Sequence, residues 1–175
     1  MKVKKNMRHL LALLLCLALP LTASAWEAET IRVVDGDTVV VRKTEDGEQI
    51  RIRLYGIDAP EMAGPEGKSQ RYSQSAKVFL ENLLPRGSKV EVKDVEIDRH
   101  KRTVAVINSA DDKVVQEEMI RAGMAWVYPE DCKLKEICDP LRELEHAAMK
   151  QKVGLWADKE PTPPWEWRKS KERAR

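Results

Sequence analysis

Asp37, Arg53, Asp58, Glu61 and Arg102 stand in three short charged stretches. VVDGDTVVV (33–41) places Asp37 after an Asp35-Gly36 turn signal, and such a hairpin turn needs only one acid and one glycine. RIRLYGIDAPE (51–61) carries Arg53, then Asp58 and Glu61 on either side of Ala59-Pro60. Proline fixes its own φ and so stiffens the chain between the two carboxylates. DRHKR (98–102) joins two apolar runs and contributes Arg99, His100, Lys101 and Arg102. Taken singly, each stretch is an ordinary surface turn or a solvated strand face.

Together they match the needs of phosphodiester cleavage: a seat for a hard cation, a base for water, and donors for the charge that grows on phosphorus. Asp37 and Asp58 are candidate ligands for Ca²⁺ or Mg²⁺, which take oxygen donors. Glu61 is a candidate proton acceptor. Arg53 and Arg102 offer planar forks that match phosphate oxygens. No His/Cys cluster of the kind zinc prefers is present.

The elements that must position these groups follow from periodicity. Residues 31–34, 38–42 and 50–55 read as three strands; in the last, Ile50, Ile52 and Leu54 alternate with Arg51, Arg53 and Tyr55. A Gly/Pro loop leads to a helix carrying Tyr72, Ala76, Phe79, Leu80 and Leu83 at helical spacing. Two more strands, 89–97 and 102–108, precede a short helix over VVQEEMIRAG. Asp139-Pro140 reads as the cap and first residue of a third helix. Five short strands with three helices predict an α+β domain built on a small barrel.

The order VVDGDTVVV, RLYGIDAPE, DRHKR, VVQEEMIRAGMAWVY, LRELEHAAMKQKVGLW resembles the staphylococcal nuclease (thermonuclease-like) family over about residues 30–157. The resemblance implies a five-stranded OB-fold β-barrel with three helices. It implies Ca²⁺-dependent hydrolysis of DNA and RNA, with Mg²⁺ as a substitute, the 5′ oxygen as leaving group and 3′-phosphate ends. Carried over by position, Asp37, Asp58 and the Ala59 carbonyl hold the metal. Glu61 is the base, Arg53 and Arg102 bind phosphate, and Tyr128 lines the nucleotide site, with Trp126 as a competing alignment. The family commonly has Thr at position 59 and D-R-Y-G-R in place of DRHKR. Lys101 thus replaces a glycine, at a cost of about 1 kcal/mol if the turn needs positive φ. Arg99, His100 and Lys101 can instead form a basic lip over the substrate backbone. A non-catalytic OB-fold nucleic-acid-binding module is the alternative expectation.

Residues 1–25 combine a basic start, an apolar core and Ala23-Ser24-Ala25, the pattern of a secretory signal peptide cleaved after Ala25. Removing them takes Lys2, Lys4, Lys5 and Arg8 from the 31 basic side chains, leaving 27 against 29 acidic ones. The net charge falls from +2 to −2, so bulk charge does not select a nucleic-acid partner and local placement must. In a secreted or periplasmic setting, Cys132 and Cys138 are expected to form a disulfide. The expected organisation is a 1–25 signal, a 26–157 nuclease-like domain, and a Pro-rich then basic tail, 158–175, read as extended and mobile. The expected product is a monomer without stable membrane association.

Overall fold

The computed structural model describes residues 25–64 and 67–173. Apart from Ala25, the expected signal segment lies outside them. In chain order the elements are β1 (Trp26–Val33), β2 (Thr38–Lys43), β3 (Gln49–Leu54), β4 (Ile57–Asp58), α1 (Ser73–Leu83), β5 (Lys89–Ile97), β6 (Thr103–Ser109), α2 (Val115–Arg121), β7 (Trp126–Val127), α3 (Lys135–Gln151), a 3₁₀ turn (Gly154–Ala157) and α4 (Pro164–Arg173).

The five expected strands close a barrel in the order β1-β2-β3-β6-β5, sealed by the parallel pairing of β3 with β6. Alternation sets which side chains fill it: Val39, Val41, Ile52, Leu54, Val92, Ala105 and Ile107 are buried, while Arg51 on the opposite face of β3 is exposed. α1 lays Ala76 and Leu80 on this core, and α2 adds Met119 and Ile120. This is the α+β, five-stranded OB-fold barrel that the sequence predicts.

Three local expectations need correction. Tyr55, placed on the polar face by alternation, is buried, because the chain leaves the strand at Leu54 and turns at Gly56 with φ 75°. Its hydroxyl accepts from the Lys133 and Leu134 amides at 2.9 and 3.0 Å. Tyr72 stands just before α1 rather than inside it, at φ 67°, and packs on a second apolar cluster with Trp126, Trp156 and Trp165. α3 begins at Lys135, not at Asp139-Pro140. The Cys132–Cys138 disulfide ties that earlier first turn to the preceding loop, and Pro140 sits inside the helix.

The largest correction concerns the tail. Pro164–Arg173 forms a fourth helix. Pro164 opens it, where the missing N–H costs nothing, and the Pro163 carbonyl accepts from the Glu166 and Trp167 amides at 3.1 and 3.0 Å. The prolines that read as an extended linker are a helix start. Among the described residues, no helix is long and apolar enough to cross a membrane.

Candidate functional site

Asp37 leaves the β1–β2 hairpin at the start of β2. The Asp35 carboxylate accepts the Asp37 amide at 3.1 Å, which shapes the turn. Gly36 is required for a different reason: a Cβ there would lie 2.6 Å from Ala59 Cβ and 2.8 Å from Ala76 Cβ. Its absence lets the hairpin tip press against the Asp58-Ala59 segment. Asp37 then has Thr38 Oγ1 donating to Oδ1 at 2.9 Å, and the Ala59 amide donating to Oδ2 at 3.2 Å.

Asp58 sits on β4, which pairs with β7 through Ile57↔Val127 and Asp58↔Trp126. Only 1% of it is exposed. Arg53 bridges the two acids, with Nη1 at 2.9 Å from Asp37 Oδ2 and Nη2 at 3.4 Å from Asp58 Oδ1. One guanidinium touches both carboxylates, so they converge. Asp131, in the loop after β7, adds a longer contact of 3.8 Å to Arg53.

Glu61 follows one residue after Pro60. Its loop is fixed by Gln70, whose side chain accepts the Glu61 amide at 3.0 Å and whose own amide donates to the Glu61 carbonyl at 2.8 Å. Arg102 lies at the foot of β6 and donates Nε to Asp98 Oδ2 at 2.7 Å. Asp98 also accepts the His100 and Arg102 amides through Oδ1, at 2.8 and 2.9 Å. It thereby organises the whole DRHKR turn. Lys101 occupies that turn at φ 60°, the left-handed conformation its position demands.

Arg53, Glu61 and Arg102 open onto a cleft of about 820 Å³ that Arg51, Tyr128 and the acids Glu96, Glu130 and Asp131 also line. A smaller hollow of about 100 Å³ runs from it past Asp35, Asp37, Ala59, Glu61 and Arg102. Arg99 and His100 line the large cleft, whereas Lys101 is exposed beyond its lining. Tyr128 lines it as well; Trp126 instead packs edge-on against Trp156, their ring centres 5.2 Å apart. Cys132 and Cys138 are bonded and buried behind the site.

Electrostatics separate the two aspartates. Burial pushes Asp37 toward its neutral form, but Arg53, the Ala59 amide and Thr38 outweigh it and hold the carboxyl below its ordinary range. Burial dominates at Asp58, where the negative Asp37 adds to it, and the pKa rises to about 6 despite two arginines. Burial and Asp37 likewise raise Asp35 to about 6. Burial opposes the charge on Arg53, yet Asp37, Asp58 and Asp131 hold its proton more firmly than usual.

A divalent hard cation fits this chemistry. Asp37 and Asp58 are convergent, buried, oxygen-only donors. Among the described residues no group of three or more His, Cys, Asp or Glu gathers to hold a metal.

Two contributors have no counterpart in the sequence reading. Arg168 of α4 donates Nη2 to Asp58 Oδ2 at 2.8 Å, and Nη1 to Asp58 Oδ1 at 3.1 Å and to Glu61 Oε1 at 2.5 Å. Trp165 of the same helix stacks on Tyr128 with ring centres 5.4 Å apart. The proline pair in TPPWEWR signals a helix start, but nothing in the sequence says where that helix docks.

Residues 51–158 match the family described as "Staphylococcal nuclease homologue". The chain belongs to the staphylococcal nuclease family. Its similarity to an "Uncharacterized endonuclease" of Escherichia coli O157:H7 is 36% identity over 87% of this chain and 91% of the relative. To a "Micrococcal nuclease" of Shigella flexneri it is 30%, over 98% and 99%. A "Staphylococcal-like nuclease CAN1" of Arabidopsis thaliana is 38% identical over 71% of this chain and 35% of that longer relative. The span matched to the staphylococcal nuclease family holds Arg53, Asp58, Ala59, Glu61, Arg102 and Tyr128. It holds neither Asp37 nor α4.

Proposed function

We propose that this protein is an exported nuclease that hydrolyses phosphodiester bonds of DNA, RNA or both, with a divalent cation, Ca²⁺ first and Mg²⁺ as a substitute. The observation that carries the reading is the convergence of Asp37, Asp58, Arg53 and Glu61 beside one charged cleft that arginines and acids line together, in a chain of the staphylococcal nuclease family.

Asp37, Asp58 and the Ala59 carbonyl would hold the cation, which would polarise a phosphate oxygen and offset its negative charge. Glu61 accepts the proton of the attacking water. Its Oε1 is engaged by Arg168, so Oε2 is the oxygen offered to water. Arg53 and Arg102, which both line the cleft, meet the charge that develops on the phosphoryl oxygens. Arg99 and His100 extend the basic rim toward neighbouring phosphates. Tyr128 offers a ring face to a nucleotide. The 5′ oxygen leaves, giving 3′-phosphate ends. The Cys132–Cys138 disulfide supports export to an oxidising compartment.

The test is incubation of the purified protein with plasmid DNA and with RNA across Ca²⁺, Mg²⁺ and EDTA. Cleavage in Ca²⁺, abolished by EDTA, with 5′-hydroxyl ends that take up labelled phosphate directly, is the expected result. EDTA-resistant cleavage removes the cation from the scheme. Tight binding without turnover under every cation turns the reading toward a binding module.

A further inference from the structure

We propose that Arg168 is a positioning residue of this site: it fixes Glu61 relative to Asp58 and supplies positive charge that the acids otherwise lack. The proposal rests on the nuclease reading above.

The first support is charge. Asp37 and Glu61 line one hollow, Asp58 is joined to Glu61 through Arg168, and Arg53 gives its short contact to Asp37. Its reach to Asp58 is 3.4 Å, longer than a charge-assisted hydrogen bond. Asp58, buried within the protein, therefore has Arg168 as its close cationic partner, through both carboxylate oxygens. Each carboxylate oxygen carries two lone pairs, so these bonds leave acceptor capacity for a cation.

The second support is geometry. Nη1 of Arg168 bridges Asp58 Oδ1 and Glu61 Oε1, so a single nitrogen sets the spacing between the cation's acid and the base. Glu61 is half-exposed and stands on a loop; its backbone is held by Gln70, but its carboxylate is held by Arg168. A planar, forked donor restricts a carboxylate's rotation as a flexible ammonium does not.

The third support is that α4 is built into place. Pro164 is buried, and Trp165 stacks on Tyr128 and packs on the cluster around Trp156. Gln70 Nε2 donates to the Thr162 carbonyl at 2.6 Å. The same Gln70 that sets the Glu61 loop thus anchors the approach to α4. Lys171 Nζ donates to the Lys68 carbonyl at 2.8 Å and closes the far end.

The experiment compares the purified wild type with Arg168→Ala, Arg168→Gln and Arg168→Lys, with Glu61→Gln as control. It records thermal melting, Ca²⁺ affinity by calorimetry, and kcat and KM on a defined oligonucleotide. Arg168→Ala and Arg168→Gln are expected to lower kcat by about 10- to 100-fold, the usual effect of removing a residue that orients others, with KM within about threefold. Millimolar guanidinium is expected to restore part of kcat to Arg168→Ala and none to Glu61→Gln, which a merely structural role would not produce. Arg168→Gln retains bulk and a donor, so it reports even if the alanine variant melts early. Wild-type kcat in the variants overturns the proposal. So does a gain in rate with tighter Ca²⁺ binding, which would make α4 a plug. An inactive wild type refutes the nuclease reading itself, a result separate from any failure of Arg168.

Discussion

Arg53 Nη1 lies 2.9 Å from Asp37 Oδ2 while its Nη2 faces Asp58, so one fork holds two acids, one from the β1–β2 turn and one from β4. Only 12% of the Arg53 side chain is exposed. A lysine here would offer a point charge on a flexible stem and cannot reach both acids with the same geometry. Arg53→Lys is expected to fold but to lose about 10²-fold or more in kcat/KM, the scale set by removing one transition-state donor. It should also melt earlier, because one buried carboxylate loses its partner. Near-normal turnover of an oligonucleotide would remove Arg53 from the machinery.

Glu61 is held by its backbone to Gln70 and by its carboxylate to Arg168. Glu61→Gln keeps size and hydrogen-bonding capacity and removes the basicity, together with the charge that faces Arg168. Melting temperature and Ca²⁺ affinity are expected to stay close to wild type, while the chemical step slows by about 10² or more. Single-turnover kinetics separate that step from product release. An unchanged single-turnover rate would show that another group takes the proton.

The parts of this site legible in the sequence are those written locally. Asp58-Ala59-Pro60-Glu61 is a four-residue unit at a strand end, and Asp37 stands out because the Asp35-Gly36 turn does not need it. Arg53 follows from strict alternation along β3. Closure of the barrel followed from five short strands, although the parallel β3–β6 seam was not readable from local pattern. What escaped depends on contacts across the chain. Arg168 meets Asp58 across 110 positions and Glu61 across 107. Its segment is proline-rich and polar, so composition described it as a tail, and only packing against Tyr128 makes it a wall of the cleft. Burial of Tyr55 depends likewise on amides 78 and 79 positions away.

The DRHKR turn carries a measurable strain. Lys101 holds φ 60°, where a Cβ is disfavoured and glycine is not. The Asp98 carboxylate and the Lys101 amide, which donates to the Asp98 carbonyl at 2.9 Å, enforce that conformation. Lys101→Gly is expected to stabilise the protein by about 1 kcal/mol, read as a rise of about 2–4 °C in melting temperature. Arg102 should remain in the cleft, because Asp98 rather than Lys101 steers it. If melting temperature falls, Lys101 is making a favourable contact that outweighs its backbone.

Asp58 gives the site a pH signature opposite to that of an ordinary paired acid. Its pKa is raised from 3.8 to about 6, by burial first and by Asp37 next, against the pull of Arg168 and Arg53. The folded state therefore binds this proton more tightly than the unfolded chain, and stability falls as pH rises between those values. The contribution is fully present below about pH 3.8 and lost above about pH 6. Asp35, also raised to about 6, acts in the same direction, whereas the lowered Asp37 loses its contribution as pH falls. In EDTA, Asp58→Asn is expected to be more stable than wild type at pH 7 by roughly 3 kcal/mol, given about 1.4 kcal/mol per pKa unit over a rise from 3.8 to about 6. The gap should close toward pH 4. Adding Ca²⁺ at pH 7 should narrow or reverse it, because cation binding to the folded state stabilises the wild type by mass action and the variant has lost a ligand. Denaturant titrations at pH 4.5 and 7, with EDTA and with Ca²⁺, provide all four values. A gap independent of both pH and Ca²⁺ would mean that Asp58 is neither strained by burial nor part of the cation seat.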